Sequence, residues 1–198
     1  MDVTYPGEPW DLHGDATAGV FLVPVSKLPE LPPPGTRVIT VAGRAIVTAA
    51  FFRYREPSPL TYGEVMATVL VRRRWRPRVF IPQIWVDSPA SRDGGRQLWA
   101  IPKDLAQFAG DPGTSMVGDE LASVTVSRTR RLPGRWRTSF RVAQWRGGRG
   151  FVTPVAGQVE ASTARAHWRF GGALAWLTGR RPLLTVHVRR FHLLFGRH

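Results

Sequence analysis

Cysteine is absent from the chain. That excludes disulfides, a thiol nucleophile and thiolate-held metal sites. Lysine is almost absent: Lys27 and Lys103 stand against 26 arginines. No run of about 18 uncharged apolar residues occurs, which argues against a transmembrane helix. The N-terminal stretch is acidic and lacks the basic region and apolar core of a secretory signal. A cytoplasmic protein without membrane partners is the expectation.

What is present is a chain of 198 residues, 43% apolar, with a formal charge of +14. Such a chain can bury a sizeable core, and one domain over residues 1–198 is expected. Arginine stays charged and holds a rigid donor fork. Lysine can lose its proton when buried and then attack carbonyl carbon. The scarcity of lysine therefore marks each one for inspection, although base composition can also cause an Arg-for-Lys bias.

The 17 prolines and 20 glycines are spread along the chain, with short apolar runs between them. That pattern favours strands and turns. Candidate strands are residues 20–23, 37–52, 64–72, 78–86, 122–126, 135–144, 167–170 and 183–194. The segment LPELPPPG, residues 28–35, reads as a rigid connector, because proline breaks helices and central strands. Residues 87–97, DSPASRDGGRQ, read as a loop, and residues 103–109 as a short helix with Pro102 in its first turn. Residues 172–177 are the other short helical candidate, and GGRG at 147–150 reads as a hairpin turn. The whole reads as a β-rich α+β domain.

Neither a phosphate-binding Walker loop nor a dinucleotide fingerprint is present. The five histidines, His13, His167, His187, His192 and His198, form no HExxH or HxH pattern, so no metal and no cofactor are expected. The densest charge run is RRRWRPR, from Arg72 to Arg78; a second cluster holds Arg128, Arg130, Arg131, Arg135 and Arg137. Arginine beside tryptophan can bind phosphates and stack on bases, and high positive charge promotes nonspecific nucleic-acid association. The arginines are dispersed, however, and the first run reads more simply as a solvated turn between two strands.

Lys103 has an apolar setting: Trp99, Ala100, Ile101 and Pro102 precede it, and Leu105 and Phe108 follow. Burial lowers an amine pKa, and a neutral amine forms a Schiff base with a ketone. The protonated imine is an electron sink beside the bond to be broken. The simpler alternative is a helix-start lysine pointing into water.

The segment from Gly95 to Leu105, GRQLWAIPKDL, resembles the acetoacetate decarboxylase family. The family hallmark is glycine–arginine–glutamate, an aromatic, then proline–lysine and leucine. The resemblance implies that Lys103 is the Schiff-base nucleophile. PLTYGE, from Pro59 to Glu64, is similar to the family's proline–tyrosine–glutamate segment and implies an active-site role for Glu64. PWDLHG near the N-terminus and residues 191–196 are similar to flanking family pieces. The implied fold is a β-rich α+β domain with a cone-like, largely antiparallel closed sheet, commonly oligomeric. Arg96 belongs to the pocket-forming motif; it either binds a substrate carboxylate or holds the Gly94 and Gly95 loop. Tyr62 and Trp99 are candidate pocket walls or plain core.

Four departures accompany the resemblance. Asp104 stands where family enzymes carry a second lysine that lowers the nucleophile's pKa, and a carboxylate facing the amine would do the opposite. Gln97 replaces the usual glutamate. The family's arginine on the first strand and an acid before the glutamate have no counterpart in residues 20–25 and 46–50. The implied function is lyase chemistry through a Lys103 imine with a small keto acid or ketone: decarboxylation, or a related aldol or dehydration step. The alternatives are a family member that binds a small metabolite without catalysis and a nucleic-acid-associated protein.

Overall fold

The structure, a computed structural model, describes residues 4–110 and 115–196. His198 lies outside the described residues. Among the described residues, thirteen strands make one sheet. They are β1 (Trp10–Pro24), β2 (Arg37–Val38), β3 (Thr40–Val41), β4 (Arg44–Arg55), β5 (Tyr62–Arg73), β6 (Arg76–Val86), β7 (Lys103–Leu105), β8 (Phe108–Ala109), β9 (Ser115–Gly118), β10 (Ala122–Arg131), β11 (Trp136–Arg146), β12 (Arg149–Phe170) and β13 (Leu184–Phe195). One α-helix, α1 (Pro89–Trp99), joins β6 to β7. Single 3-10 segments cover Val25–Lys27 and Gly172–Leu177.

The order β11-β6-β5-β4-β1-β13-β12 closes on itself, because β12 also pairs β11. Closure depends on the length of β12, a strand of 22 residues. Its first half pairs β11, its middle pairs β13 and its end pairs β10. The remaining strands β10, β9 and β8 extend as a flap. All pairings are antiparallel except those of β6 with β11 and with β7. The closed, β-rich sheet expected from the resemblance is present.

Alternation along the strands gives the sheet two apolar faces. On β5, Val65, Ala67, Val69 and Val71 enter one core with Phe21, Phe51 and Trp168. Tyr62, on the other face, packs in a second core with Trp10, Tyr54, Trp99 and Phe191. Helix α1 adjoins this second core through Trp99.

Two local expectations are overturned. Residues 87–97 are not a loop: α1 occupies most of them. The side chain of Ser88 caps it by accepting from the Ser91 N–H at 3.2 Å, and Pro89 sits in the first turn. Two internal glycines cost a helix roughly 1 kcal/mol each relative to alanine, which is why the segment reads as a loop. Gly94 and Gly95 are buried at the packing face instead. A Cβ on Gly94 would come 2.7 Å from the Trp10 ring.

Nor do residues 103–109 form a helix. Ala100, at φ 56°, ends α1 in the left-handed region, and the chain leaves as β7, pairing Lys103 with Ile84 in parallel. Edge pairing with β6 overrides the local pattern. The turns fared better. The RRRWRPR run is the hairpin between β5 and β6, with Trp75 exposed, and Gly147 and Gly148 turn β11 into β12. Residues 28–35 contain no helix or strand, and residues 172–177 are a 3-10 turn.

Candidate active site

Strand β7 places Lys103 inward and Asp104 outward, because neighbouring strand residues face opposite sides. Lys103 is 4% exposed. Its Nζ lies 2.9 Å from Glu64 Oε2, donates to Ser91 Oγ at 2.9 Å and donates to Tyr62 Oη at 3.3 Å. It sits 5.0 Å from the Tyr62 ring centre and 5.9 Å from that of Trp10. Gly95 makes room for it: a Cβ there would meet Lys103 Cδ at 2.7 Å.

Glu64, 1% exposed, is held from its other oxygen, where Tyr54 Oη donates to Oε1 at 2.9 Å. Oε2 faces the amine as an ion-pair contact but takes no aligned hydrogen bond. That oxygen is therefore placed to accept a proton from the amine or from a guest. Tyr54 and Tyr62 stack at 4.3 Å, opposite each other in the register of β4 and β5.

The electrostatics run opposite to the expectation of a depressed amine pKa. Burial pulls the Lys103 pKa down, but the Glu64 carboxylate and then Tyr62 outweigh it, and the amine lies above its ordinary value. Burial raises both tyrosines, Tyr54 strongly, so both phenols stay neutral. Asp104 has no part in this. It is exposed and pairs with Arg96 on the outside of β7.

A cavity of about 40 Å³ adjoins the amine, walled by apolar side chains that include Trp10, Met66, Ile84, Trp99 and Phe195. Lys103 and Glu64 are its two charged lining residues. Among the described residues, no second cationic group such as the family's strand arginine lines it. Outside lies an open cleft of about 480 Å³ that shares Tyr54 and Tyr62 with the cavity and presents Arg53 and Arg55. Arg55 is neutralised by Asp15 at 2.7 Å.

The structure therefore brings together Lys103, Glu64, Tyr62 and Trp99. It places Arg96 elsewhere: its Nε donates to the Lys103 carbonyl at 2.6 Å and its fork holds Asp104. Arg96 latches the strand that carries the lysine and does not line the cavity. Sequence reading missed Tyr54 and Ser91. Tyr54 had a signal, since alternation across the hairpin sets it beside Tyr62. Ser91 had none, because its helix reads as a loop.

A buried lysine–carboxylate pair thus lies in an apolar pocket walled by a closed sheet. The sequence pattern of the family described as Acetoacetate decarboxylase (ADC) matches residues 15–170. The chain belongs to the acetoacetate decarboxylase family. Among curated proteins, none matches the sequence.

Solved structures share the fold. An acetoacetate decarboxylase from Legionella pneumophila superposes with a TM-score of 0.72 at 16% identity, over 100% of this chain and 89% of that one. The enduracididine biosynthesis enzyme MppR complexed with pyruvate gives 0.64 at 18% identity, over 100% and 91%. An acetoacetate decarboxylase-like enzyme from Sphingomonas wittichii gives 0.65 at 16% identity, over 96% and 92%. Among the described residues, no helix is long and apolar enough to cross a membrane.

Proposed function

We propose that the protein is a lyase-type enzyme that forms a Schiff base between Lys103 and a small keto acid or ketone. The observation that carries this is the buried Lys103 amine at 2.9 Å from Glu64, inside an apolar cavity. At rest the pair is ionic. Transfer of one ammonium proton to Glu64 Oε2 leaves a neutral amine and a neutral acid, a state that burial favours.

The amine then adds to the carbonyl carbon. Glu64 returns the proton to the carbonyl oxygen, and water leaves as the iminium forms. For a 3-keto acid, the electrons of the bond to the carboxylate flow into the iminium, carbon dioxide departs and an enamine remains. Protonation at carbon and hydrolysis release the ketone and restore the amine. Tyr62 and Ser91 hold the nitrogen in place. The cleft that shares Tyr54 and Tyr62 with the cavity is the route of approach; Arg53 lines it with Glu56 and Asp87, while Arg55 is paired with Asp15.

The test is borohydride reduction in the presence of acetoacetate, pyruvate or acetone, read by intact mass and peptide mapping. One reduced adduct on Lys103 is expected, and none in Lys103→Ala. A folded protein that yields no adduct with any carbonyl in the panel overturns the reading and leaves a non-catalytic binding protein.

A further inference from the structure

β1 and β13 are neighbours in the ring, and His13 stands directly opposite His192 in their register. Asp11 lies two residues before His13, on the same face of β1. Leu12, between them, is buried on the other face. Asp11 Oδ1 is 3.2 Å from His13 Nε2 and 2.7 Å from His192 Nε2. The two imidazoles stack with centres 4.3 Å apart and planes at 12°. All three donor atoms lie within 4.8 Å of one another.

We propose that Asp11, His13 and His192 form a site for a divalent transition cation of the zinc or copper class. Two imidazoles and one carboxylate suit borderline cations, whereas magnesium and calcium prefer oxygen donors. Metal–ligand bonds of about 2.0–2.2 Å put tetrahedral donors roughly 3.3 Å apart. The Asp11–His13 separation of 3.2 Å is near that value, and the Asp11–His192 hydrogen bond at 2.7 Å would open by about half an ångström to admit the ion. Ion binding would replace the hydrogen bond between His192 Nε2 and Asp11 Oδ1, with each ring's proton on Nδ1 and Nε2 offered to the ion. The side chains of Asp11 and His192 are both 58% exposed, so an ion enters from solvent and keeps an open coordination position.

The site lies behind the lysine cavity. Trp10 and Leu12, which flank Asp11, line that cavity, and so does Phe195, the register partner of Trp10. A bound ion therefore clips the outer faces of the two strands whose inner faces wall the lysine cavity. The pattern is invisible in sequence because Asp11 and His192 are 181 residues apart.

Isothermal titration of the untagged full chain with zinc chloride and with copper chloride tests the proposal. Saturable binding of one equivalent is expected, with no heat from magnesium chloride. His13→Ala and His192→Ala should each weaken binding at least about tenfold, while His167→Ala, at an exposed position elsewhere, leaves it unchanged. In the unsubstituted protein, copper should broaden the His13 and His192 ring resonances before those of His167 and His187. Absence of one-equivalent binding, binding indifferent to both substitutions, or broadening that begins at other histidines overturns the site.

Discussion

Lys103 and Asp104 are adjacent in sequence and face opposite sides of β7. The carboxylate that governs the amine is Glu64, contributed by β5. Glu64 holds the ammonium form above its ordinary pKa, so removing its charge leaves burial in command and the pKa must fall. Glu64→Gln should therefore move the alkaline rise of adduct formation to lower pH, while slowing the proton transfers on either side of it. A trapping-rate profile against pH reads both effects. The counterpart prediction is Asp104→Asn. Its carboxylate pairs with Arg96 outside the cavity, so the same midpoint should stay in place; a downward shift would show that Asp104 acts on the amine. An exposed ion pair of this kind is worth about 0–1 kcal/mol, and little change in melting temperature is expected.

At the scale of elements, α1 and β7 are one device. The left-handed turn at Ala100 returns the chain toward the edge of β6, and Arg96 fastens the new strand by its carbonyl. Gly95 gives the lysine stem its channel. Gly95→Ala should destabilise the fold by about 1–3 kcal/mol, the usual cost of overpacking, and should lower adduct formation by displacing the amine. Chemical denaturation and borohydride trapping read the two effects separately. Arg96→Ala is expected to reduce trapping without abolishing it, because it loosens the strand and removes no group from the cavity. Complete loss in a folded variant would instead assign Arg96 to the chemistry.

At the scale of the molecule, closure through β12 gives the cavity a continuous wall, and charge decorates the outside. The β5–β6 hairpin exposes Trp75 among arginines, and such a surface attracts polyanions without reading sequence. Binding to a DNA oligonucleotide should therefore decay steeply between low and physiological salt, as a fluorescence anisotropy titration would show. Salt-resistant, sequence-selective binding would restore the nucleic-acid reading. The family resemblance also leads us to propose a homo-oligomer. Light scattering should give a mass at least twice 22.1 kDa, and a monomeric mass at working concentration would remove the proposal.

Sequence by itself carried the β-rich architecture, most strand positions and the hairpin turns, and through the family resemblance it singled out Lys103 and Glu64. Strands announce themselves through short-range alternation, and the chemical motifs lie within single segments. It offered Tyr62 and Trp99 as pocket wall or plain core, and the structure puts both in the lining of the lysine cavity. What it could not give were relations between distant segments. The GG-containing stretch becomes a helix because Trp10 and Lys103 need its bare face, and Ser91 reaches the amine only through that helix. The meeting of His13 with His192 needs the register of two strands from opposite ends of the chain. The scarcity of lysine pointed to an amine, and tertiary structure decided its charge. Burial alone would lower the pKa of Lys103; a carboxylate brought in from β5 raises it above its ordinary value.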